Sequence, residues 1–252
     1  MNDKIIEAIK YSRLTRKNIS FDKLREIAGS DNGLWAELQR GRAVLTSTSE
    51  LDQYLYSYGL MIKSQWSQFL ADVSLPDDKM RLTDYGCGQG IGSALLFDHF
   101  GPSFVKRIDE IRLIEPSYVA LERAKAVVDC YVGAEKSVAI NSAFDRLCPK
   151  DMQMNDNLPH IHLLSNVLDI EGFDQARLFS GMFSDNVGDH IVLAVSHDRA
   201  HNGGSDRFEK LEAEIKNPKH SMHLTVFSSE VKKFALPDGK LAIAWYLRVK
   251  VL

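Results

Sequence analysis

Two hydrophobic rhythms divide the chain. Over the first seventy or so residues the apolar positions recur every three or four, the period of a helix. Phe21, Leu24, Ile27 and Ala28 share one such face after Ser20, a residue type suited to cap a helix N-terminus. Ser47 and Glu50 form an S-x-x-E capping box, and Leu51, Tyr54, Leu55, Tyr58, Met61, Ile62 and Phe69 continue a longer face behind it. Gly59 inside that face costs about 1 kcal/mol relative to Ala and marks a place for a bend. The stripe is expected to pack on the rest of the molecule, with Tyr54 or Tyr58 the residues placed to reach a pocket. After the polar punctuation LPDDK at Leu75 to Lys79, short apolar runs alternate with helical patterns. Strands are predicted near 80–85, 109–115, 136–141, 159–166, 188–196, 221–228 and 241–251, and helices near 90–100, 117–131, 172–184 and 204–216. Such alternation demands parallel pairing through right-handed crossovers, hence an open doubly wound α/β sheet. Only FALPDGK, Phe234 to Lys240, separates the last two strands, too little for a crossover helix, so they are expected as an antiparallel hairpin on the sheet edge. The expected architecture is an N-terminal helical segment, 1–75, acting as a lid or packing extension, and a seven-stranded α/β domain, 76–252.

Composition narrows the function. Apolar residues make up 44% and charged residues 26%, enough for a buried core. The 31 Lys and Arg against 34 Asp and Glu leave a net charge of −3, without the positive excess of a dedicated duplex-binding protein. The basic group Lys10, Arg13, Arg16, Lys17, Lys23 and Arg25 is diluted by Glu7, Asp22 and Glu26 and reads as a solvated helix face. Cys87, Cys130 and Cys148 contain no C-x-x-C pair, so neither a disulfide framework nor a zinc site is expected, and a reducing compartment is. Acids and lysines interrupt the apolar residues of the N-terminus, and no run approaches the roughly 20 residues of a membrane span. A cytoplasmic protein without membrane partners is the expectation.

The segment RLTDYGCGQGIGSALLFDHF holds the densest chemistry. A strand ends near Asp84, and glycines at 86, 88, 90 and 92 lead into a helix. Glycine at these positions lets backbone N–H groups approach a ligand at the first strand-to-helix turn, where open α/β sheets bind nucleotides. The dinucleotide pattern G-x-G-x-x-G fails in both registers, because Ile91 or Ser93 stands where Gly or Ala is needed. A P-loop is excluded as well, since no G-K-S or G-K-T follows.

Asp84-Tyr85-Gly86-Cys87-Gly88-Gln89-Gly90 resembles the first motif of class I S-adenosylmethionine-dependent methyltransferases, an acid two residues before a glycine-rich turn. Thirty residues on, the strand IRLIEP ends at Glu115, where that family places an acid for the two ribose hydroxyls. An ionised carboxylate is acceptor-only and can take both O–H groups of a diol. The resemblance covers roughly Met80 to Leu252, including the reversed last strand. It implies S-adenosyl-L-methionine as cofactor, contacted by Asp84, Gly86, Cys87, Gly88, Gly90, Glu115, Pro116, Ala143, Phe144 and Asn166. In NSAFDRL, Ala143 and Phe144 are expected near the adenine, with Ser142 where the family often has an acid.

The acceptor side departs from one branch of that family. Methyltransferases acting on exocyclic amines carry Pro-Pro and an aromatic after the residue matched by Asn166, whereas Val167 and Leu168 follow here. Asn166 is therefore expected to contact cofactor or substrate, its neutral amide being unable to take a proton. In SHDRAHNGG, His197 and His201 are expected on the rim loop after the fifth strand, His197 as a candidate general base and the pair not as a metal site. His160, His162, His220 and His223 are expected to be structural. The implied reaction is direct methyl transfer to a small-molecule or protein acceptor, with Cys87 a small residue beside the cofactor. Two alternatives remain: a catalytically silent methyltransferase-like interaction module, and an RNA methyltransferase using the N-terminal basic group.

Overall fold

A computed structural model describes residues 3–153, 157–168, 170, 172–183, 186–198, 204–217 and 223–252. Three helices come first: α1 (Lys4–Lys10), α2 (Phe21–Ala28) and α3 (Thr48–Leu70). Each begins at a side-chain cap. Asp3 accepts from the N–H groups of Ile5 and Ile6, Ser20 accepts from Lys23, and Ser47 and Glu50 close the capping box expected from their spacing.

The remainder runs β1 (Met80–Tyr85), α4 (Ile91–Arg107), β2 (Ile108–Ile114), α5 (Tyr118–Val132), β3 (Ser137–Ile140), α6 (Pro149–Met152), β4 (His160–Ser165), α7 (Gln175–Phe183), β5 (Gly188–His197), α8 (Gly204–Lys216), β6 (Leu224–Ala235) and β7 (Leu241–Val251). The strands form one seven-stranded sheet in the order β3-β2-β1-β4-β5-β7-β6. β1 pairs in parallel with both β2 and β4, so the chain reverses its winding direction beside β1. β7 is antiparallel to both β5 and β6, which makes the terminal hairpin. This is the open doubly wound architecture with a reversed last strand that the alternation of patterns implied.

Several boundaries shift from those the pattern predicts, and three of the shifts have a plain physical reading. α4 continues past Gly101 and Pro102, because Gly101 at φ 74° joins two helical pieces instead of ending one. β6 runs seven residues beyond the expected end at 228, to Ala235. β5 includes His197, which pairs with Ala242 of β7, so this histidine closes a strand instead of standing on the following loop.

Alternate residues of the strands feed two cores. Leu82, Ile111, Leu113, Leu163, Leu193 and Val195 face the side covered by α1 to α5, in one continuous cluster with Ile5, Phe21, Leu24 and Trp66. Ile114, Leu164, Val192, Ala194 and Trp245 face α7 and α8. The N-terminal helices thus complete a core of the sheet. Among the described residues no helix is long and apolar enough to cross a membrane.

Candidate functional site

The cleft lies where the C-terminal ends of β1, β2 and β4 meet, the switch point at which open α/β sheets take their ligands. Its volume is about 270 Å³. The turn after β1 forms its floor. Gly86, Gly88 and Gly90 have φ of 64°, 54° and 83°, values that L side chains adopt only with strain. The glycines differ in what surrounds them. A Cβ on Gly86 would lie 2.6 Å from Val167 Cγ1, and one on Gly90 would lie 3.2 Å from the Ala124 backbone. A Cβ on Gly88 would meet nothing within 4 Å, because that position opens into the cleft.

Glu115, the residue after β2, is pinned beside this turn. Its Oε2 accepts from the Gly88 N–H at 3.0 Å and its Oε1 from the Ser117 N–H at 2.9 Å. Each oxygen keeps unused acceptor capacity on the cleft wall. Burial raises the carboxyl above its ordinary range, while the two N–H groups oppose that shift. Ser117 caps α5 and also donates its hydroxyl to the Leu45 carbonyl, which ties the segment Gly41 to Leu45 to the same wall.

Asp84 stands behind the turn and is not part of the cleft lining. It is fully buried, its Oδ2 accepts from Ser93 Oγ at 2.6 Å, and its Oδ1 has no hydrogen-bond partner. Burial pushes its carboxyl up to about 7, with the Ser93 hydroxyl opposing and the Glu115 charge adding. Gly90 is likewise outside the lining, whereas Gly86, Cys87, Gly88, Glu115, Pro116, Ala143, Phe144 and Asn166 all line it. Burial also pushes the Cys87 thiol well above its usual range, so it stays protonated. On the far wall Phe144 packs against Phe173 with ring centroids 4.8 Å apart. Asp145, and not Ser142, is the polar neighbour of Phe144 on the lining.

Asn166 adopts φ 55° directly after β4. Its N–H donates to the Val195 carbonyl at 2.8 Å and its Nδ2 to Gln65 Oε1 at 2.9 Å, while its Oδ1 is buried without a partner. Beside it Trp66 donates to Ser165 Oγ at 3.0 Å, so α3 fixes the end of β4. A narrower chamber of about 20 Å³ adjoins the cleft and shares Gly41, Arg42, Tyr54, Asn166 and Ile170 with it. Arg40, Tyr58, Met61 and His197 complete its walls. His197 is only 8% exposed, not the open loop residue of the sequence reading. His201, Gly203 and His220 lie outside the described residues.

A second polar cluster is made by residues of β4 and β5 outside the cleft lining. One ring nitrogen from each of His160, His162 and His190 lies within 4.8 Å of the others. His162 and His190 are joined by a hydrogen bond, while His160 Nε2 pairs with Thr83 Oγ1 at 2.8 Å. His190 Nε2 donates to the Asn186 carbonyl at 2.7 Å, so its Nδ1 accepts from His162 Nε2 at 2.9 Å, and His162 Nδ1 accepts the Tyr85 hydroxyl at 3.1 Å. A single tautomer choice satisfies that chain, and among the described residues no carboxylate belongs to the cluster.

Nothing in the pattern of residues marks the segment Gly41 to Leu45, Ile62 or Phe173 as cleft walls. The three consecutive positive φ values at Gln39, Arg40 and Gly41 (47°, 62° and 86°) turn that segment over the cleft, and only the glycine among them signals such a turn in advance.

No protein-family profile matches the chain, and no curated protein matches it in sequence. Solved structures do resemble it. The TYW2 protein of M. jannaschii in complex with AdoMet is 10% identical, with a TM-score of 0.47, over 79% of this chain and 78% of that one. A SAM-dependent methyltransferase of Leishmania major is 14% identical, with a TM-score of 0.43, over 84% and 80%. An rRNA methylase of Streptococcus thermophilus is 12% identical, with a TM-score of 0.41, over 77% and 96%. At such distances a functional assignment stands on the chain's own residues.

Proposed function

We propose that the chain is an S-adenosylmethionine-dependent methyltransferase acting on a small-molecule or protein acceptor. The observation that carries this reading is the pairing of Gly88 with Glu115. A left-handed glycine opens onto the cleft, and beside it stands a carboxylate whose two oxygens each hold one backbone N–H and retain room for a hydroxyl. That arrangement fits a nucleoside whose ribose lies against the turn.

When bound, the cofactor supplies an electrophilic methyl group on a sulfonium. The chain's own residues then have three tasks. Glu115 holds the ribose diol, and Phe144 offers a ring face to the base. Leu45, Ile62 and Val167 keep water from the reacting centre, where alignment and dryness supply most of the acceleration. Asn166, held by Gln65 and Val195, presents its unpaired Oδ1 at the boundary between cleft and chamber. If the acceptor is a hydroxyl or a protonated amine, its proton must leave, and His197 on the chamber wall is the candidate to take it.

Titration calorimetry with S-adenosylmethionine, S-adenosylhomocysteine and NAD tests the reading. Saturable binding of the two sulfur compounds and none of NAD is expected; the reverse pattern would overturn it. Once an acceptor is found, His197→Ala is expected to lower turnover by about 100-fold or more, the lower end for a positioned general base, with cofactor affinity within about twofold. Turnover at the wild-type rate would remove His197 from the chemistry.

A further inference from the structure

Four polar side chains from separate parts of the chain are buried together behind the glycine turn. Arg123 of α5 is 1% exposed, Gln89 of the turn 4%, and Asp3, the cap of α1, and Asp52, in the second turn of α3, 7% each. The guanidinium reaches all of them. Its Nε donates to Asp3 Oδ2 at 2.7 Å, its Nη1 to Gln89 Oε1 at 2.9 Å, and its Nη2 lies 2.9 Å from Asp52 Oδ1 in a charge contact. Lys4 Nζ stands 3.6 Å from Asp52, so the two acids face two cations. The other end of the Gln89 amide is also used, its Nε2 donating to the Leu51 carbonyl at 2.9 Å.

Buried charge is costly unless every group is matched, so this cluster holds only when α1, α3 and the turn are all in place. Only Gln89 among the four lines the cleft. α1 contributes nothing to the lining, yet its capping residue is one bond from the guanidinium that orients Gln89. The same N-terminal segment supplies walls of the cleft through Gly41 to Leu45, Tyr54 and Ile62.

We propose that Arg123 is a positioning residue for cofactor binding: through Gln89 it ties the glycine turn to the docked N-terminal segment, so that cofactor affinity and the docking of α1 form one coupled equilibrium. The proposal rests on the methyltransferase reading. Coupling of this kind is reciprocal, so a bound cofactor must hold α1 more tightly even though it does not touch it.

The test combines calorimetry with S-adenosylhomocysteine and amide hydrogen exchange on the full chain. In the wild type the compound is expected to slow exchange in residues 41–45 and also in α1. Asp3→Asn keeps an N-cap acceptor for α1, so the helix survives, but it removes the charge and turns an NH₂ donor toward the Arg123 Nε–H. It is expected to weaken S-adenosylhomocysteine by about tenfold, within the usual range for coupled sites. Arg123→Met is expected to lose more and to abolish the slowing in α1, and Arg123→Lys to recover part of the affinity. Binding that leaves exchange in α1 unchanged, or an Asp3→Asn affinity within about twofold of wild type, would overturn the coupling and leave the cofactor assignment standing. Absence of any binding by the wild type would overturn the methyltransferase reading and this proposal with it.

Discussion

The two halves of the cleft are made by different means. The half at the ends of β1 and β2 is built from backbone: three left-handed glycines, the N–H groups of Gly88 and Ser117, and one carboxylate that joins them. The half at the ends of β4 and β5 is built from side chains gathered from Arg40, Tyr54, Tyr58, Asn166 and His197. A backbone site dictates residue types, since only glycine meets its conformation without strain. A side-chain site leaves the residue types open and asks only that distant positions come together, so it can change its ligand without changing the turn that holds the cofactor.

The sharpest way to break this comparison lies within the turn itself. Gly86→Val would force a side chain into Val167 and hold it at φ 64°. Left-handed strain of about 1 to 2 kcal/mol and overpacking of about 1 to 3 kcal/mol add to a loss of about 2 to 5 kcal/mol of folding stability. Gly88→Val carries the strain without the clash, since its Cβ meets open space. The fold is expected to persist while S-adenosylhomocysteine binding disappears. Chemical unfolding and calorimetry on the two variants separate the roles; wild-type affinity in Gly88→Val would make the whole turn structural.

The same difference explains what could be read in advance. The capping box at Ser47 and Glu50, the glycine run and the hairpin after Phe234 are local signals, each tied to a conformation that few residue types allow, and each marks the element found there. β6 was harder to delimit, because on an exposed edge strand Ser228, Ser229, Glu230, Lys232 and Lys233 mask the alternation and the register shifts between Val226 and Ser228. Gly101-Pro102 reads as a helix stop, yet the chain resumes the helix after a single left-handed residue. Arg123 was not legible at all. Nothing in the pattern of α5 distinguishes a buried arginine from a solvated one, since its partners lie 34 residues or more away.

Glu115 is the one side chain on which the backbone half depends. Glu115→Ala is expected to weaken S-adenosylhomocysteine by about 1.5 to 3 kcal/mol, the range for hydrogen bonds to a charged group. Glu115→Gln recovers only part of this. Its amide has one acceptor oxygen, so its NH₂ must face either the Gly88 or the Ser117 N–H, donor against donor. Calorimetry on both variants decides it; an unchanged dissociation constant in both would place the ribose elsewhere.

The smallest effect sets buried titrations of the two halves against each other. Asp84, behind the glycine turn, has its carboxyl raised by burial to about 7 from an ordinary 3.8. The folded state therefore holds a proton that the unfolded chain releases, and Asp84's contribution to stability is full below the ordinary carboxylate range and lost as pH rises through about 7. His160, His162 and His190, on β4 and β5, are shifted the other way, burial holding each below its ordinary 6.5. Their contribution is full above about pH 6.5 and lost as pH falls toward their folded values, because the unfolded chain then binds protons that the core refuses. Between about pH 5 and 6.5 the two trends oppose, and each proton is worth about 1.4 kcal/mol per pH unit. Removing the titration with Asp84→Asn, which keeps an acceptor for Ser93, is expected to steepen the loss of stability on acidification by about that amount. Urea unfolding of wild type and variant across this window measures the two slopes. Equal slopes would mean that Asp84 is already ionised in the folded protein and that its burial is compensated by a partner.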